Sequence, residues 1–126
     1  LPFGAAFCLA ALCNGLGCLA VRVTLGAHST ADKILAILFP IAAFVAAGFE
    51  HSIANMFFLP LGLMIDCCAP DSFWSTQGAL AYPALSIAGA VRNIVVVTVG
   101  NIVGGGVLVG AVYWFVYLRP RASPKP

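Results

Sequence analysis

Gly48-Phe49-Glu50-His51-Ser52-Ile53-Ala54-Asn55 lies in the middle of a 32-residue run, Ile34 to Ile65, that otherwise carries no charge. As one continuous α-helix the run would be about 48 Å long, against a bilayer core of roughly 30 Å. It is too long for a simple spanning helix, and Pro40, Gly48 and Pro60 offer places to break it. The polar cluster Glu50, His51, Ser52 and Asn55 falls between those prolines. An ionisable group at the bilayer centre costs about 2.5–3.5 kcal/mol or more, so it faces a protein interior or a pore. Irregular backbone at that depth persists only where protein or a watery cavity satisfies it. The stretch therefore predicts two helical pieces, broken near Gly48 to Ser52, beside a permeation pathway.

The composition supports a membrane setting. The chain is 62% hydrophobic and 8% charged, with mean hydropathy +1.05, which excludes an ordinary soluble domain. A net charge of +2 with scattered carriers gives no nucleic-acid surface. The N-terminal apolar run Leu1 to Val21 lacks a basic start and is too long for a secretory signal. A chain beginning with Leu1 reads as a fragment or a processed product.

The two other apolar blocks read as spanning helices, Leu1 to Val21 and Ile94 to Leu118. Residues 1–118 are thus expected to form a membrane domain with three segments, the middle one broken. Residues 119–126, rich in Pro and Ser, are expected to be a disordered tail. Arg22 to Lys33 reads as a polar loop, and Ala79 to Val91 as an interfacial stretch anchored by Trp74. Arg22, Lys33, Arg119, Arg121 and Lys125 stand in the first loop and the tail, against Arg92 alone in the second loop. That asymmetry places the first loop and the C-terminus in the cytoplasm.

If the polar cluster is helical, His51 and Asn55 share a face, with Phe44 and Phe58 seven residues to either side of His51. Imidazole is the side chain best suited to exchange a proton near neutral pH. Glu50 points away from that stripe, toward backbone or toward fixing the histidine. A buried, satisfied histidine is the bland alternative; the adjacent glutamate, the nearby asparagine and the excess length favour function.

In the last block Gly100, Gly104, Gly105, Gly106 and Gly110 provide two GxxxG spacings, which suit close helix packing. Neither the preceding strand nor the following Lys-Ser/Thr of a phosphate loop is present. Thr98, Asn101 and Asn14 are polar at membrane depth and should hydrogen-bond inside the bundle. Cys8, Cys13 and Cys18 step by five residues, roughly 140° around a helix, so they share no face and read as small packing residues. Cys67 and Cys68 read as free thiols, and no cysteine or histidine has zinc spacing.

These strings carry a resemblance. Gly48-Phe49-Glu50-His51-Ser52-Ile53-Ala54-Asn55-Met56-Phe57 is similar to the signature of the formate/nitrite transporter family. So is Thr98 to Gly106, with Val109-Gly110 and Tyr113-Trp114. Leu12-Cys13-Asn14 with Cys18 to Val21 resembles the start of the family's fourth helix, and Asp32-Lys33 the start of its fifth. The resemblance implies an all-α, aquaporin-like inverted repeat of which this chain is the second half, segments four to six. It implies pentamers with one pore per protomer, in the plasma or inner membrane, with a cytoplasmic C-terminus. It implies transport of small monovalent anions such as formate or nitrite together with protons, and neither enzymatic activity nor a cofactor.

Carried over residue by residue, the resemblance makes His51 the central pore histidine, with Glu50, Ser52 and Asn55 as companions. It makes Phe44 and Phe49 constriction residues; Gly100, Asn101, Gly104, Gly105 and Gly110 are expected to be packing residues from the spacing and polarity of the last block. Gly15, Gly17 and Arg22 depart from the bulky apolar or aromatic residues that relatives carry there, and Val96 from a common proline. A structural fragment, inactive without a first half, is the alternative. A haem subunit using His28 and His51 is disfavoured, since one falls in a loop and the other at mid-membrane; an absorption spectrum without a Soret band would dispose of it.

Overall fold

The computed structural model describes residues 1–77 and 85–119. The helices among them are α1 (Phe3–Gly26), α2 (Thr30–Ala46), α3 (Ser52–Cys68), the short α4 (Asp71–Gln77) and α5 (Ile87–Ile102). From α5 the chain continues without a break through π-helical Val103–Val109, an α-helical turn α6 (Gly110–Tyr113) and a π-helical turn Trp114–Leu118. Two rods, Phe3–Gly26 and the 32-residue Ile87–Leu118, are long and apolar enough to cross a membrane.

Local chemistry sets the ends. Ser29 caps α2 through a reciprocal pair: its Oγ accepts from the Asp32 amide, and the Asp32 carboxylate accepts from the Ser29 amide, both at 3.1 Å. This capping box satisfies two donors that the first turn would otherwise leave unpaired. Ser86 caps α5 by accepting from the Gly89 amide at 3.0 Å.

α1 and α5 run parallel in close contact. Ala6, Ala10, Cys13 and Ala20 form the buried stripe of α1, facing Val96, Val97, Gly100, Asn101 and Gly104. A Cβ on Gly100 would come 2.7 Å from both the Ala10 side chain and the Phe7 carbonyl, and one on Gly104 would overlap the Ala11 backbone. Lipid gives helices no hydrophobic reason to associate, so close approach over small residues supplies the attraction as dispersion. At the far end the Arg22 guanidinium lies over the Tyr113 and Tyr117 rings, at 5.1 and 5.6 Å. α2 returns antiparallel along α1, and α3 runs antiparallel along α5. Large apolar side chains elsewhere stay exposed, among them Phe39, Val45, Ile53, Phe57, Ile87 and Leu118. Such surface requires lipid or protein to cover it.

Several expected boundaries differ. The expected loop from Arg22 to Lys33 shrinks to residues 27–29, because α1 continues to Gly26 and α2 starts at Thr30. The last helix begins at Ile87 rather than Ile94, taking in Arg92 and Asn93; a single arginine with a long aliphatic stem does not stop a helix. Of the expected interfacial stretch, 87–91 are therefore helical and 79–84 lie outside the described residues. Pro40 and Pro60 sit inside α2 and α3 and break neither. The expected tail, from Pro120 onward, lies outside the described residues.

Candidate functional site

The break is a glycine-terminated helix end joined to a histidine-started one. Gly48 has φ 66°, the left-handed region that favours glycine. Its amide donates to the Val45 carbonyl at 3.1 Å, and the Phe49 amide to the Phe44 carbonyl at 3.0 Å. These two bonds make a Schellman motif, which ends α2 while satisfying its last carbonyls. Glu50 and His51 then cross to α3. His51 is the N-cap residue, in extended conformation, and its Nδ1 accepts from the Ala54 amide at 3.4 Å. With Nδ1 accepting, the proton of the neutral ring sits on Nε2, which leaves an N–H available to a ligand.

The imidazole also stacks on Phe44, with centroids 6.0 Å apart and planes inclined by 19°. The expected helical stripe from Phe44 through His51 to Phe58 does not form, because the break falls between its first two members. Phe44 and His51 meet across the break instead. Phe58 is 63% exposed on α3, edge-on to Phe57. Phe49 is half-buried, and among the described residues its ring has no aromatic partner.

One side chain ties the break to the bundle. Asn101 is 6% exposed and uses both ends of its amide. Its Nδ2 donates to the Ala10 carbonyl at 2.8 Å and to the Glu50 carbonyl at 3.1 Å. Its Oδ1 accepts from the Ser52 amide and the Ser52 hydroxyl, each at 3.0 Å. Helix α1, the break and the first residue of α3 are thus joined through one amide. Ser52 is buried with its hydroxyl proton committed to Asn101. Asn14 donates to the Asn101 carbonyl at 2.6 Å. In an unbroken α-helix that carbonyl would receive the Gly105 amide; the helix turns π-helical at Val103 instead, as happens where a side chain competes for the ladder. A Cβ on Gly105 would collide with the Asn14 amide.

A second polar line runs on the α3–α5 side. The Asn55 amide donates to the Glu50 carboxylate at 2.5 Å and to Asn93 Oδ1 at 2.8 Å. Glu50 is therefore held by Asn55, and among the described residues no hydrogen bond joins its carboxylate to His51. The expected packing residues divide. Gly100, Gly104 and Gly105 abut α1, whereas a Cβ on Gly110 would meet only the Gly105 carbonyl, at 3.8 Å. Gly110 instead helps line an apolar cleft between α1 and the C-terminal rod, with Gly17, Cys18 and Tyr113. Thr98 departs from expectation: its Oγ1 is buried and without a partner among the described residues. Of the evenly spaced cysteines only Cys13 is buried. Asn93 is not among the expected site residues, since a helix starting at Ile94 puts it in a loop; it lies on α5 instead, and a polar amide at the edge of an apolar run is the signal that marks it.

Comparison with known proteins gives one consistent answer. Residues 1–115 match the family model described as formate/nitrite transporter. The chain is 44% identical over 117 residues to formate channel FocA of Escherichia coli K12, covering 90% of this chain and 41% of that protein. It is 39% identical over 117 residues to formate-nitrite transporter 3 of Toxoplasma gondii, covering 91% of this chain and 20% of the relative. Among solved structures, a pentameric formate channel with formate bound superposes with TM-score 0.84 at 46% identity. That match covers 94% of this chain and 48% of the other. The chain spans less than half the length of these relatives, and its three-segment arrangement with a broken middle helix is half of their aquaporin-like fold. The chain belongs to the formate/nitrite transporter family.

Proposed function

We propose that this chain supplies one half of a membrane channel for small monovalent anions such as formate and nitrite, or their conjugate acids, with His51 as the proton- or hydrogen-bond-donating group at the narrowest point. The observation that carries this reading is the break itself. It holds an imidazole by one nitrogen at the start of α3 and by one face against Phe44, leaving Nε2 without a partner among the described residues. A bare anion passing aromatic side chains loses its water in a low-dielectric slot, at a prohibitive cost unless a donor replaces it. His51 provides that donor, and Phe44 and Phe49 form the dry walls. Glu50, Asn55 and Ser52 keep the break in shape around it.

The chain works with a complementary first half that closes the pore, and the assembled unit is a homopentamer, as in the pentameric formate channel it resembles. The membrane half-domain sits in the plasma or inner membrane, with the C-terminus in the cytoplasm, following the basic residues. The alternative, an inactive structural segment, is separated by one comparison. The 126-residue chain, alone and joined to a first half of the family, is reconstituted in proteoliposomes, and formate and nitrite entry is followed. Flux only in the joined form is expected; no flux in either would overturn the channel reading.

A further inference from the structure

Between the start of α1 and the first turns of α5 lies a cavity of about 190 Å³ lined by Leu1, by Phe3 and Ala6 of α1 and by Gly89, Arg92, Asn93 and Val96 of α5; the Asn93–Asn55–Glu50 hydrogen bonds connect its wall to the break. We infer that Arg92 and Asn93 form an anion-receiving site in this cavity, one that takes a small planar oxyanion before it reaches His51. The inference deepens the channel reading above and rests on it for the identity of the ion.

Three observations support it. First, among the described residues Arg92 makes no ion pair, hydrogen bond or ring contact. All four acidic side chains, Asp32, Glu50, Asp66 and Asp71, are described and none pairs with it, so among the described residues its five donors are open to a ligand. Second, the polarity of Asn93 is fixed from a distance. A carboxylate only accepts, so Glu50 draws the NH₂ end of Asn55. The same NH₂ then donates to Asn93 Oδ1, which leaves the Asn93 NH₂, unpartnered among the described residues, as the donor end of a residue lining the cavity. Glu50, though negative, therefore arms the cavity with donors through two amides. Third, an anion nearing Glu50 would be repelled by it, and Arg92 is the cation in the cavity wall that offsets this charge. The planar guanidinium fork matches a carboxylate or nitrite in two parallel bonds. At roughly 30 Å³ per water, the space holds one such ion with part of its hydration shell.

The test is binding of ¹³C-formate to the purified, assembled channel containing this chain, followed by NMR titration, with flux recorded separately. Wild type should bind formate with an affinity that falls as ionic strength rises. Arg92→Gln should weaken binding about tenfold and flatten that salt dependence, as loss of one charge-assisted contact implies. Arg92→Lys should keep the salt dependence but lose part of the affinity, since it restores charge without the fork. Asn93→Asp, which replaces donors by acceptors, should weaken binding further. Size-exclusion profiles confirm assembly, and Arg92 is exposed, so its replacements should not disturb the fold. Equal binding and equal salt dependence in wild type and Arg92→Gln would overturn the proposal, as would a wild type that binds no formate. Normal binding without flux would instead count against the channel reading while upholding the site.

Discussion

Replacing Asn101 by Ala should loosen the whole arrangement rather than only slow transport. The substitution removes four hydrogen bonds, to the Ala10 and Glu50 carbonyls and to the Ser52 amide and hydroxyl. In membrane proteins such bonds average about 0.6 kcal/mol and reach about 1.7. The summed loss is therefore about 2–7 kcal/mol, and the upper part applies here because the abandoned groups are buried away from water. Asn101→Asp refines the reasoning: it keeps acceptors for Ser52 but sets a carboxylate against two carbonyl oxygens, and should be at least as damaging. The assay is denaturant titration of the assembled channel in mixed micelles, read by near-ultraviolet circular dichroism, with flux measured alongside. Both variants should lose stability and flux together. An Asn101→Ala channel within about 0.5 kcal/mol of wild type would refute the claim that this amide holds the break.

Other substitutions separate geometry from chemistry. Gly104→Ala should destabilise by about 1–3 kcal/mol by overpacking, since its Cβ would meet the Ala11 backbone, whereas Gly106→Ala, with nothing within 4 Å, should be neutral or stabilising; parallel unfolding curves decide. Gly48→Ala forces a side chain into a left-handed residue and should cost about 1–2 kcal/mol, visible in the same titration. A double-mutant cycle of Glu50→Gln with Asn55→Leu should give a coupling energy of about 1–3 kcal/mol, because their contact is direct; a coupling near zero would remove Glu50 from the polar line.

Length and polarity made much of this legible. A run too long for one crossing, with Glu50 and His51 at its middle, required a break there, and the glycine spacing of the last block required a close neighbour. Of the three candidate breakers only Gly48 ends a helix, because proline costs a helix one hydrogen bond that a membrane helix tolerates, whereas a glycine at positive φ lets a Schellman motif stop it. The stripe through Phe44, His51 and Phe58 presupposed helical phase across the break, which the extended His51 destroys. Nor could spacing show that Glu50 is bound by Asn55 rather than by His51, or that Asn93 completes the line, since both depend on how α3 lies along α5. Asn101 was visible as a polar residue at depth. Its reach to both α1 and the break was not.

The central claim is that His51 supplies the donor that lets a dehydrated anion pass. Its most direct test is His51→Phe in the assembled channel, with formate and nitrite entry into proteoliposomes measured from about pH 5 to 8, where imidazole chemistry operates. The ring shape is retained beside Phe44, so assembly and unfolding should stay near wild type, apart from about 1 kcal/mol for the lost cap. Flux of both anions should fall sharply at every pH. Wild-type flux with an unchanged pH profile would contradict the account.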